Sequence, residues 1–509
     1  MIMRHEFPFA LFLVAFAAYT LLLFIISWVT GRKAGSSSFF SGDRRAPWPI
    51  VAYGMIGASI SGVTFISVPG NVWVQNFYYM PLVLGFVVGF IVVARVLLPL
   101  YYKMNLTSIY TYLGDRFGYR SHKTGTVVFM VSRVLGAALR IFVVIVVFFT
   151  FIPRSMVDAT SPLTVFILIA AIFLILLYFY TFKGGVKTII WTDVLQTTFM
   201  LIAVGMTIYY IGKNMGLTFG QLFSNLSGTI NTNAGTVGYG RPFISWFDWD
   251  WSHGTNAVKQ FISGIFVTIA MTGLDQAMMQ KNLACKDIKA AQKNMYTTSI
   301  TIAVVNYFFV LMGALLCVYA QHLGGFEAIG ITKTDELFPV IASQYFGIGA
   351  GVFFLIGLIS ASYPSAGAAM TSLTTSFCVD ILKFNTRTDL SESRKEKVRK
   401  LVHAGVGFVF LVIIVVLYLV SNDAVINLLY KLASYTYGPL LGLFFFGILT
   451  KYKVRDRAVP WIAIAAPVIC FIVNTLGKKF FGFDLGFTLL IVNGLLTFFG
   501  MWLFRVKTR

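Results

Sequence analysis

The stretch YGMIGASISGVTFISVPG, Tyr53 to Gly70, lies inside an apolar segment long enough to cross a bilayer. Glycine and serine, which are weaker helix formers than alanine or leucine, fill its centre, and a Pro-Gly pair ends it. An unwound turn at membrane depth exposes backbone carbonyl and amide groups, which is tolerated only where they line a cavity. The stretch therefore predicts a broken helix at a binding site. The alternative is that its small residues only allow close helix packing.

The composition of the whole chain is that of a polytopic membrane protein. Its 509 residues are 58% hydrophobic and 12% charged, and the charged fraction is about half that of a soluble domain. Apolar runs of about 20 residues recur from end to end. They predict about 13 transmembrane helices, near residues 8–30, 47–71, 77–101, 125–152, 162–180, 186–212, 257–276, 295–320, 345–377, 398–420, 424–448, 458–476 and 485–505.

The formal charge of +21 is distributed from loop to loop. Lys and Arg are concentrated in alternate connections, such as SESRKEKVRK at 391–400 and KYKVRDR at 451–457, while the connections between these have few. This is the pattern of cytoplasmic loops, and it argues against a nucleic-acid partner. It predicts a multi-pass protein of the cell (inner) membrane with its N-terminus outside and its C-terminus in the cytoplasm. The basic loops would suit anionic lipid headgroups.

A second interrupted helix is predicted in the seventh span, FISGIFVTIAMTGLDQ at 261–276. It contains Gly264, Thr268, Thr272 and Gly273 and comes five spans after the first. Two interrupted helices at matching positions of two halves indicate a transporter built from inverted repeats. The following segment, AMMQKNLACKDIKAAQK at 277–293, predicts a short amphipathic helix on the cytoplasmic surface.

The motif GGVKTIIWTDVLQ, Gly184 to Gln196, resembles the signature of the sodium/solute symporters, which include sodium/glucose cotransporters and bacterial sialic acid symporters. Further matches are GASISGVTF, TGLDQAMMQKNL, SAGAAMTSLTTSFCVDIL and YTYGPLLGLFFFGILTK, so the resemblance covers nearly the whole chain. It implies an all-α leucine-transporter-like fold with a 5+5 inverted repeat. The implied parts are an extra N-terminal helix in 1–46, repeats in 47–212 and 257–448, an extracellular loop in 213–256 and two C-terminal helices in 449–509.

The resemblance implies symport of sodium with a small organic solute (a sugar, a sialic acid or another carboxylate) by alternating access. The main sodium site would lie where the second span meets the ninth. Its implied ligands are the carbonyls of Gly57, Ile60 and Ala361 and the hydroxyl of Ser365. The family usually has two serines where this chain has Pro364 and Ser365, so one hydroxyl is missing. Because Pro364 also removes a backbone donor, we expect the carbonyl of Ser360 or Ala361, or the Ser362 hydroxyl, to replace it.

Some members have a second sodium site, formed by an Asp of the sixth span and serines of the ninth. Asp193 matches the Asp, but this chain has Gly367 and Ala368 at the serine positions. We therefore expect one coupled sodium, with Asp193 left to pair with a basic residue or to hold a proton. The resemblance also implies a set of solute-facing residues: Ser59, Ser61 and Thr64 on the second span, Thr268, Met271 and Thr272 on the seventh and Lys431 on the eleventh.

Two arginines of the fourth span, Arg133 and Arg140, are seven residues apart and therefore share one helical face. Sialic acid symporters use an arginine of this span for the carboxylate of the solute, and Arg140 is the nearer match. A guanidinium suits bidentate carboxylate recognition. The alternative is a structural arginine that pairs with Asp193 or Asp275, and Lys431 could neutralise the same acids. Two free cations in the cavity would favour an anionic solute.

Other functions fit the sequence less well. The five histidines have no metal-binding spacing, and no phosphate-binding glycine loop is present, so neither an enzyme nor an ATP-driven pump is predicted. Proton coupling through Asp193 or Asp275, sodium-independent transport and a non-transporting sensor paralogue stay open as alternatives. The four cysteines are predicted to be small buried side chains. We expect a monomer, because this fold encloses its own site.

Overall fold

A computed structural model of the protein describes residues 7–31, 46–106, 108–182, 185–227, 231–232, 235–236, 245–384, 386, 389–420, 425–481 and 485–506. Within these ranges, two pairs of helices each form one bent span, namely Trp48–Ser59 with Gly62–Gln75 (span 2) and Ala257–Gly273 with Gln276–Leu283 (span 7). Eleven further helices are long and apolar enough to cross a membrane: Phe9–Thr30 (span 1), Met80–Lys103 (span 3), Tyr119–Thr150 (span 4), Pro162–Thr181 (span 5), Thr188–Met215 (span 6), Ile288–His322 (span 8), Ile348–Ile381 (span 9), Glu392–Val420 (span 10), Leu428–Leu449 (span 11), Val459–Gly477 (span 12) and Gly486–Leu503 (span 13).

Short elements connect the spans. The short helices are Thr111–Phe117, Arg154–Thr160, Phe219–Ser227 and Leu337–Gln344. Two small two-stranded antiparallel sheets pair Asn231–Thr232 with Gly235–Thr236 and Lys453–Val454 with Arg505–Val506. Wide π-helical turns interrupt spans 3, 7 and 9 at Val93–Leu97, Ile269–Gly273 and Phe377–Ile381. Such turns are frequent at functional sites.

All thirteen predicted spans are present, with ends that differ by a few residues. Span 4 shows why the ends differ, because it begins at Tyr119 and not near residue 125. Asp456, from the connection between spans 11 and 12, accepts hydrogen bonds from the backbone N–H groups of Arg120 (2.9 Å) and Ser121 (2.7 Å). This cap extends the helix beyond its apolar stretch, and local hydropathy contains no sign of it.

The spans differ in how deeply the protein surrounds them. In the most apolar window of span 9, 72% of the residues are buried, against 22% in spans 1 and 10. Span 9 is therefore a central helix, and it packs along span 6. Span 7 crosses span 3 closely, since a β-carbon on Gly264 would lie 2.1 Å from the carbonyl oxygen of Leu82. Gly264 thus serves close packing, and the interruption of span 7 lies further along the helix.

Candidate functional site

Span 2 is interrupted at Ile60 and Ser61, inside the predicted stretch. Both residues have extended backbone, with φ −90° and ψ 111° at Ile60 and φ −102° and ψ 176° at Ser61. The two helical halves meet at 56°. The last carbonyls of the first half and the first N–H groups of the second half have no helical partners. The predicted break is confirmed, and it presents carbonyl oxygens of partial negative charge beside N–H groups of partial positive charge.

Span 7 is interrupted directly after its π-helical turn, where its halves meet at 67°. Asp275 has extended backbone at this bend, and its Oδ1 accepts from the N–H groups of Ala277 (2.9 Å) and Met278 (3.2 Å). Its Oδ2 accepts from the hydroxyl of Tyr437 at 2.8 Å. This fully buried carboxylate is therefore the N-terminal cap of the second half of span 7.

A cavity of about 100 Å³ lies beside the two breaks and is completed by spans 3, 4, 8 and 11. It brings together seven of the eight residues predicted to face the solute, namely Ser59, Ser61, Thr64, Arg140, Thr268, Met271 and Thr272. Tyr79, Phe86, Asn306 and Tyr430 also line it. Hydroxyl groups and two arginine side chains therefore converge on a space with aromatic walls, which is the usual construction of a small-molecule site.

The structure does not place Lys431 in this cavity. Its side chain is exposed, and the preceding residue, Tyr430, takes the inward position. Neighbouring residues of a helix point about 100° apart, so a displacement of one position moves a side chain off the lining. Asn306 was not among the predicted solute-facing residues, although a polar residue inside a transmembrane span, here span 8, indicates a functional site. Tyr79 gave no such signal; its hydroxyl lies 3.3 Å from that of Tyr430.

The two arginines of span 4 differ in their partners. Nη1 of Arg133 lies 3.4 Å from Oδ2 of Asp275, and both side chains are almost completely buried. Arg140 makes no ion pair with any residue that the structure describes, and its buried Nε has no hydrogen-bond acceptor there. Both arginines line the cavity. The predicted structural role thus fits Arg133, while the positive charge of Arg140 is left facing the cavity.

The residues implied as sodium ligands lie on spans 2 and 9. Gly57 belongs to the last turn before the break, and Ile60 lies at the break itself. Ala361, Pro364 and Ser365 are buried in span 9, and Oγ of Ser365 has no hydrogen-bond partner in the described structure. Unsatisfied neutral oxygens at the end of a half-helix are the donors that coordinate sodium in broken-helix transporters.

Three other features of span 9 concern the serine hydroxyl that is missing from the implied sodium site because this chain has Pro364 there. Because proline has no N–H, the carbonyl of Ser360 lacks its helical donor. The Ser360 hydroxyl donates a hydrogen bond to the hydroxyl of Tyr19 in span 1, at 2.6 Å. Ser362 lies at the break, since its Oγ is 3.1 Å from the position that a β-carbon on Gly62 would take. The Ser360 carbonyl and the Ser362 hydroxyl are therefore the oxygens available to complete the ligand set.

Asp193 is paired with a basic residue. Nζ of Lys281 lies 2.5 Å from its Oδ2, and both side chains are buried. The partner is neither arginine of span 4 nor Lys431, the candidates that the sequence suggested. Gly367 packs against Thr181 and Tyr180. The matching Asp of the second sodium site thus already has a cation, a lysine ammonium group.

The prediction of a cytoplasmic surface helix at 277–293 was wrong. Gln276–Leu283 is the second half of span 7, and every one of its residues is buried. The next helix, Ile288–His322, begins span 8. The polar residues that suggested a water-facing side make specific buried contacts, such as Oε1 of Gln276 with the N–H of Ile109 at 3.0 Å and Oδ1 of Asn282 with Nδ2 of Asn294 at 2.6 Å. The bend at Asp275 turns this segment back into the protein.

Comparisons with known proteins found a matching family, related sequences and a similar fold. A sequence model of the Sodium:solute symporter family matches residues 39–458. The sodium/sialic acid symporter SiaT of Proteus mirabilis is 24% identical over 488 residues, which cover 95% of this chain and 92% of that protein. The sodium-coupled monocarboxylate transporter 2 of Mus musculus is 23% identical over 428 residues, covering 83% of this chain and 64% of that one.

The fold has a solved counterpart. The substrate-bound outward-open state of a Na+-coupled sialic acid symporter matches with a TM-score of 0.77 and 20% sequence identity, and the match covers 97% of each chain. This likeness concerns the fold, and it confirms the expected all-α architecture of the leucine-transporter type.

Proposed function

The chain belongs to the sodium:solute symporter family and is a secondary transporter that carries sodium together with a small solute across the membrane, and we propose that this solute is a small organic monocarboxylate. The observation that carries this proposal is the charge of the cavity. Asp275 is the one carboxylate among the described residues that lies beside these two arginines, and it pairs with Arg133 and not with Arg140. The lining therefore has one uncompensated positive charge, which suits a solute with one negative charge.

The size and lining of the cavity support a small solute. A volume of about 100 Å³ has room for a few water molecules, and thus for a solute of few atoms. Phe86, Phe90 and Met271 give the cavity an apolar part, and the hydroxyl groups of span 2 line it as well. Relatives named for sialic acid and for monocarboxylates both handle carboxylates. Arg140 would bind the carboxylate, and the hydroxyls of Ser59, Ser61, Thr64, Thr268 and Thr272 would bind polar substituents.

We place the coupling sodium between spans 2 and 9, with the carbonyls of Gly57, Ile60 and Ala361 and the hydroxyl of Ser365 as ligands. The carbonyl of Ser360 or the hydroxyl of Ser362 would supply the oxygen that Pro364 does not. One sodium per cycle is proposed, because the ammonium group of Lys281 occupies Asp193. Sodium bound from outside would hold the outward-open state, and the solute would bind beside it before the protein opens inward.

The organisation of the chain completes the proposal. The repeats would comprise 47–212 and 257–448, with the extra N-terminal helix in 1–46, the outer loop in 213–256 and two helices in 449–509. The protein would act as a monomer in the cell membrane, with its N-terminus outside, its C-terminus in the cytoplasm and its basic loops against anionic lipids. We propose no enzymatic activity.

The thermal stability of the purified protein in sodium, compared with equal potassium, tests the proposal. At ten times its dissociation constant, sodium should add about 1.4 kcal/mol to the stability of the folded protein. Short monocarboxylates should add further stability only when sodium is present, whereas neutral sugars should add none. A response to sialic acid in place of short monocarboxylates would keep the symporter and change the solute. No response to sodium at any concentration would overturn sodium coupling and favour the proton-coupled alternative.

The Ser365→Ala variant tests the sodium site itself. Losing one ligand should raise the sodium concentration for half-maximal uptake by about tenfold or more, because contacts with a charged group are worth about 1.5–3 kcal/mol. Ser372→Ala is the matched control, since Ser372 is a buried serine of the same span whose hydroxyl donates to its own helix at Ala369. Unchanged sodium dependence in Ser365→Ala would remove Ser365 from the site.

A further inference from the structure

A hydroxyl from span 6 bridges one rung of the span 2 helix. Oγ1 of Thr197 accepts a hydrogen bond from the N–H of Gly57 at 3.1 Å and donates to the carbonyl of Tyr53 at 3.2 Å. Tyr53 and Gly57 are four residues apart, so they are the carbonyl and amide that bond to each other in a regular α-helix. The bridge lies just before the break at Ile60 and Ser61, and a side chain inserted into this ladder is a known cause of helix bending.

The contact between the two spans is built for this bridge. A β-carbon on Gly57 would lie 2.5 Å from Oγ1 of Thr197, and one on Gly54 would lie 2.9 Å from the β-carbon of Asp193. Only glycine at these positions allows span 6 to approach so closely. Thr197 is fully buried, and Asp193, one turn before it on the same helix, is fixed by its ion pair with Lys281. The Thr197 hydroxyl is therefore held in place against the first half of span 2.

We propose that Thr197 is a positioning residue of the sodium site, which fixes the last turn of span 2 so that the carbonyl of Gly57 faces the bound ion. The inference rests on the proposed sodium site, in which that carbonyl is a ligand. Glycine has wide backbone freedom, so the peptide that follows Gly57 needs an external restraint to keep one orientation. The extended backbone at Ser61 leaves the Gly57 carbonyl without the N–H that would hold it in a continuing helix. The bond from the Gly57 N–H to Thr197 supplies this restraint.

A valine, a serine and an alanine at position 197 separate the hydroxyl from the volume of the side chain. Thr197→Val keeps the volume and removes the hydroxyl, whereas Thr197→Ser keeps the hydroxyl. The matched control is Thr207→Val, because Thr207 is a buried threonine of the same span whose one hydrogen bond among the described residues is to its own helix, at the carbonyl of Ala203 (2.8 Å). Uptake into proteoliposomes gives the half-maximal sodium concentration, and hydrogen exchange of peptides covering 53–60 in sodium-free buffer reports the state of the helix end.

Thr197→Val should raise the half-maximal sodium concentration by about threefold to tenfold, the equivalent of one lost hydrogen bond, with the maximal rate at saturating sodium within about twofold of the original. Exchange in 53–60 should rise in the same variant. Thr197→Ser and Thr207→Val should behave like the original protein in both measurements. Should Thr197→Val fail to fold, Thr197→Ala removes the same hydroxyl without the added methyl and should show the same rise in sodium concentration.

Faster exchange with unchanged sodium dependence would overturn the positioning role and leave Thr197 as a packing residue. Ser365→Ala separates this result from a failure of the proposed function. If Ser365→Ala weakens sodium dependence and neither Thr197→Val nor Thr197→Ala does, the sodium site stands and this inference alone is wrong. If uptake by the original protein ignores sodium, the proposed site and this inference fall together.

Discussion

The two arginines of span 4 share one helical face but have different electrostatic surroundings. Arg133 lies 3.4 Å from Asp275, which is held in turn by Tyr437, whereas Arg140 has no carboxylate partner among the residues described. The difference arises at the bend of span 7, which carries Asp275 to the level of Arg133. One arginine is thus part of the scaffold, and the other gives the cavity its charge.

Arg140→Gln should lower the uptake of carboxylates by about tenfold to a hundredfold, because a charge-assisted hydrogen bond contributes about 1.5–3 kcal/mol. Arg140→Lys keeps the charge but lacks the planar guanidinium group. Its uptake of carboxylates should therefore lie between that of the original protein and that of Arg140→Gln. Uptake of labelled solutes into proteoliposomes measures both variants, with thermal stability as the control for folding. An equal loss for carboxylates and for any neutral solute that is carried would mean that Arg140 has a structural role.

Asp193 and Lys281 form an ion pair in which both side chains are buried. Lys281→Met should cost about 3–5 kcal/mol of unfolding free energy, because the carboxylate would be left buried without a partner. Asp193→Asn combined with Lys281→Met removes both charges and should recover most of that loss. Unfolding of Lys281→Met, of Asp193→Asn alone and of the double variant in detergent gives the coupling energy. A double variant as unstable as the sum of the two single ones would mean that the two side chains act independently.

At the scale of elements, two ends of helices are capped by side chains from distant connections. Asp456 bonds to the first N–H groups of span 4, and Arg116, from the connection between spans 3 and 4, donates to the carbonyls of Gly447 (3.2 Å) and Thr450 (2.7 Å) at the end of span 11. An anion at a helix N-terminus and a cation at a C-terminus both complement the helix dipole. Gly118, with φ +128°, leaves room for Asp456, since a β-carbon there would lie 2.9 Å from its carboxylate.

Asp456→Ala should lower the stability of the protein by about 1 kcal/mol, the usual value of an N-terminal cap. Asp158→Ala is a suitable control, because Asp158 is an exposed acid in the short helix Arg154–Thr160. Thermal unfolding compares the two, and hydrogen exchange of residues 119–125 locates the effect at the start of span 4. If exchange there did not change, the Asp456 contacts would not be what holds this end.

At the scale of the whole molecule, the distribution of charge predicts the orientation in the membrane. The test uses single cysteines at Ser252, an exposed residue before span 7, and at Thr386, an exposed residue between spans 9 and 10. A membrane-impermeant maleimide added to intact cells should label Ser252→Cys and should label Thr386→Cys only after permeabilisation. The reverse pattern would mean that the orientation is inverted.

The native thiols should not interfere with this labelling. All four cysteines are buried, as the sequence predicted. Burial raises the pKa of the Cys285 thiol to about 12, and the nearby carboxylate of Asp287 adds to the shift. Because the thiolate is the reactive form, this cysteine has little nucleophilic character near neutral pH. The unmodified protein should therefore stay unlabelled in intact cells.

Composition and local residue patterns are enough to predict the membrane-embedded class, the number of spans and the break in span 2. These features depend on composition and on local helix chemistry, which a stretch of about 20 residues contains in full. Most of the cavity lining was predicted as well, through the resemblance of the motifs to the sodium/solute symporters, which implies the solute-facing positions of the broken spans.

The partners of the buried charges and the ends of the capped helices, by contrast, follow from contacts between distant parts of the chain. Lys281 lies in a segment that the sequence predicts to be a surface helix. In the structure, the bend at Asp275 turns this helix inward, and Lys281 pairs with Asp193. The bridge from Thr197 to Gly57 joins residues 140 positions apart, and Asp456 reaches span 4 over 335 positions. Such contacts depend on the angles at which helices cross and bend, and those angles result from the packing of the whole molecule, which no local pattern of residues contains.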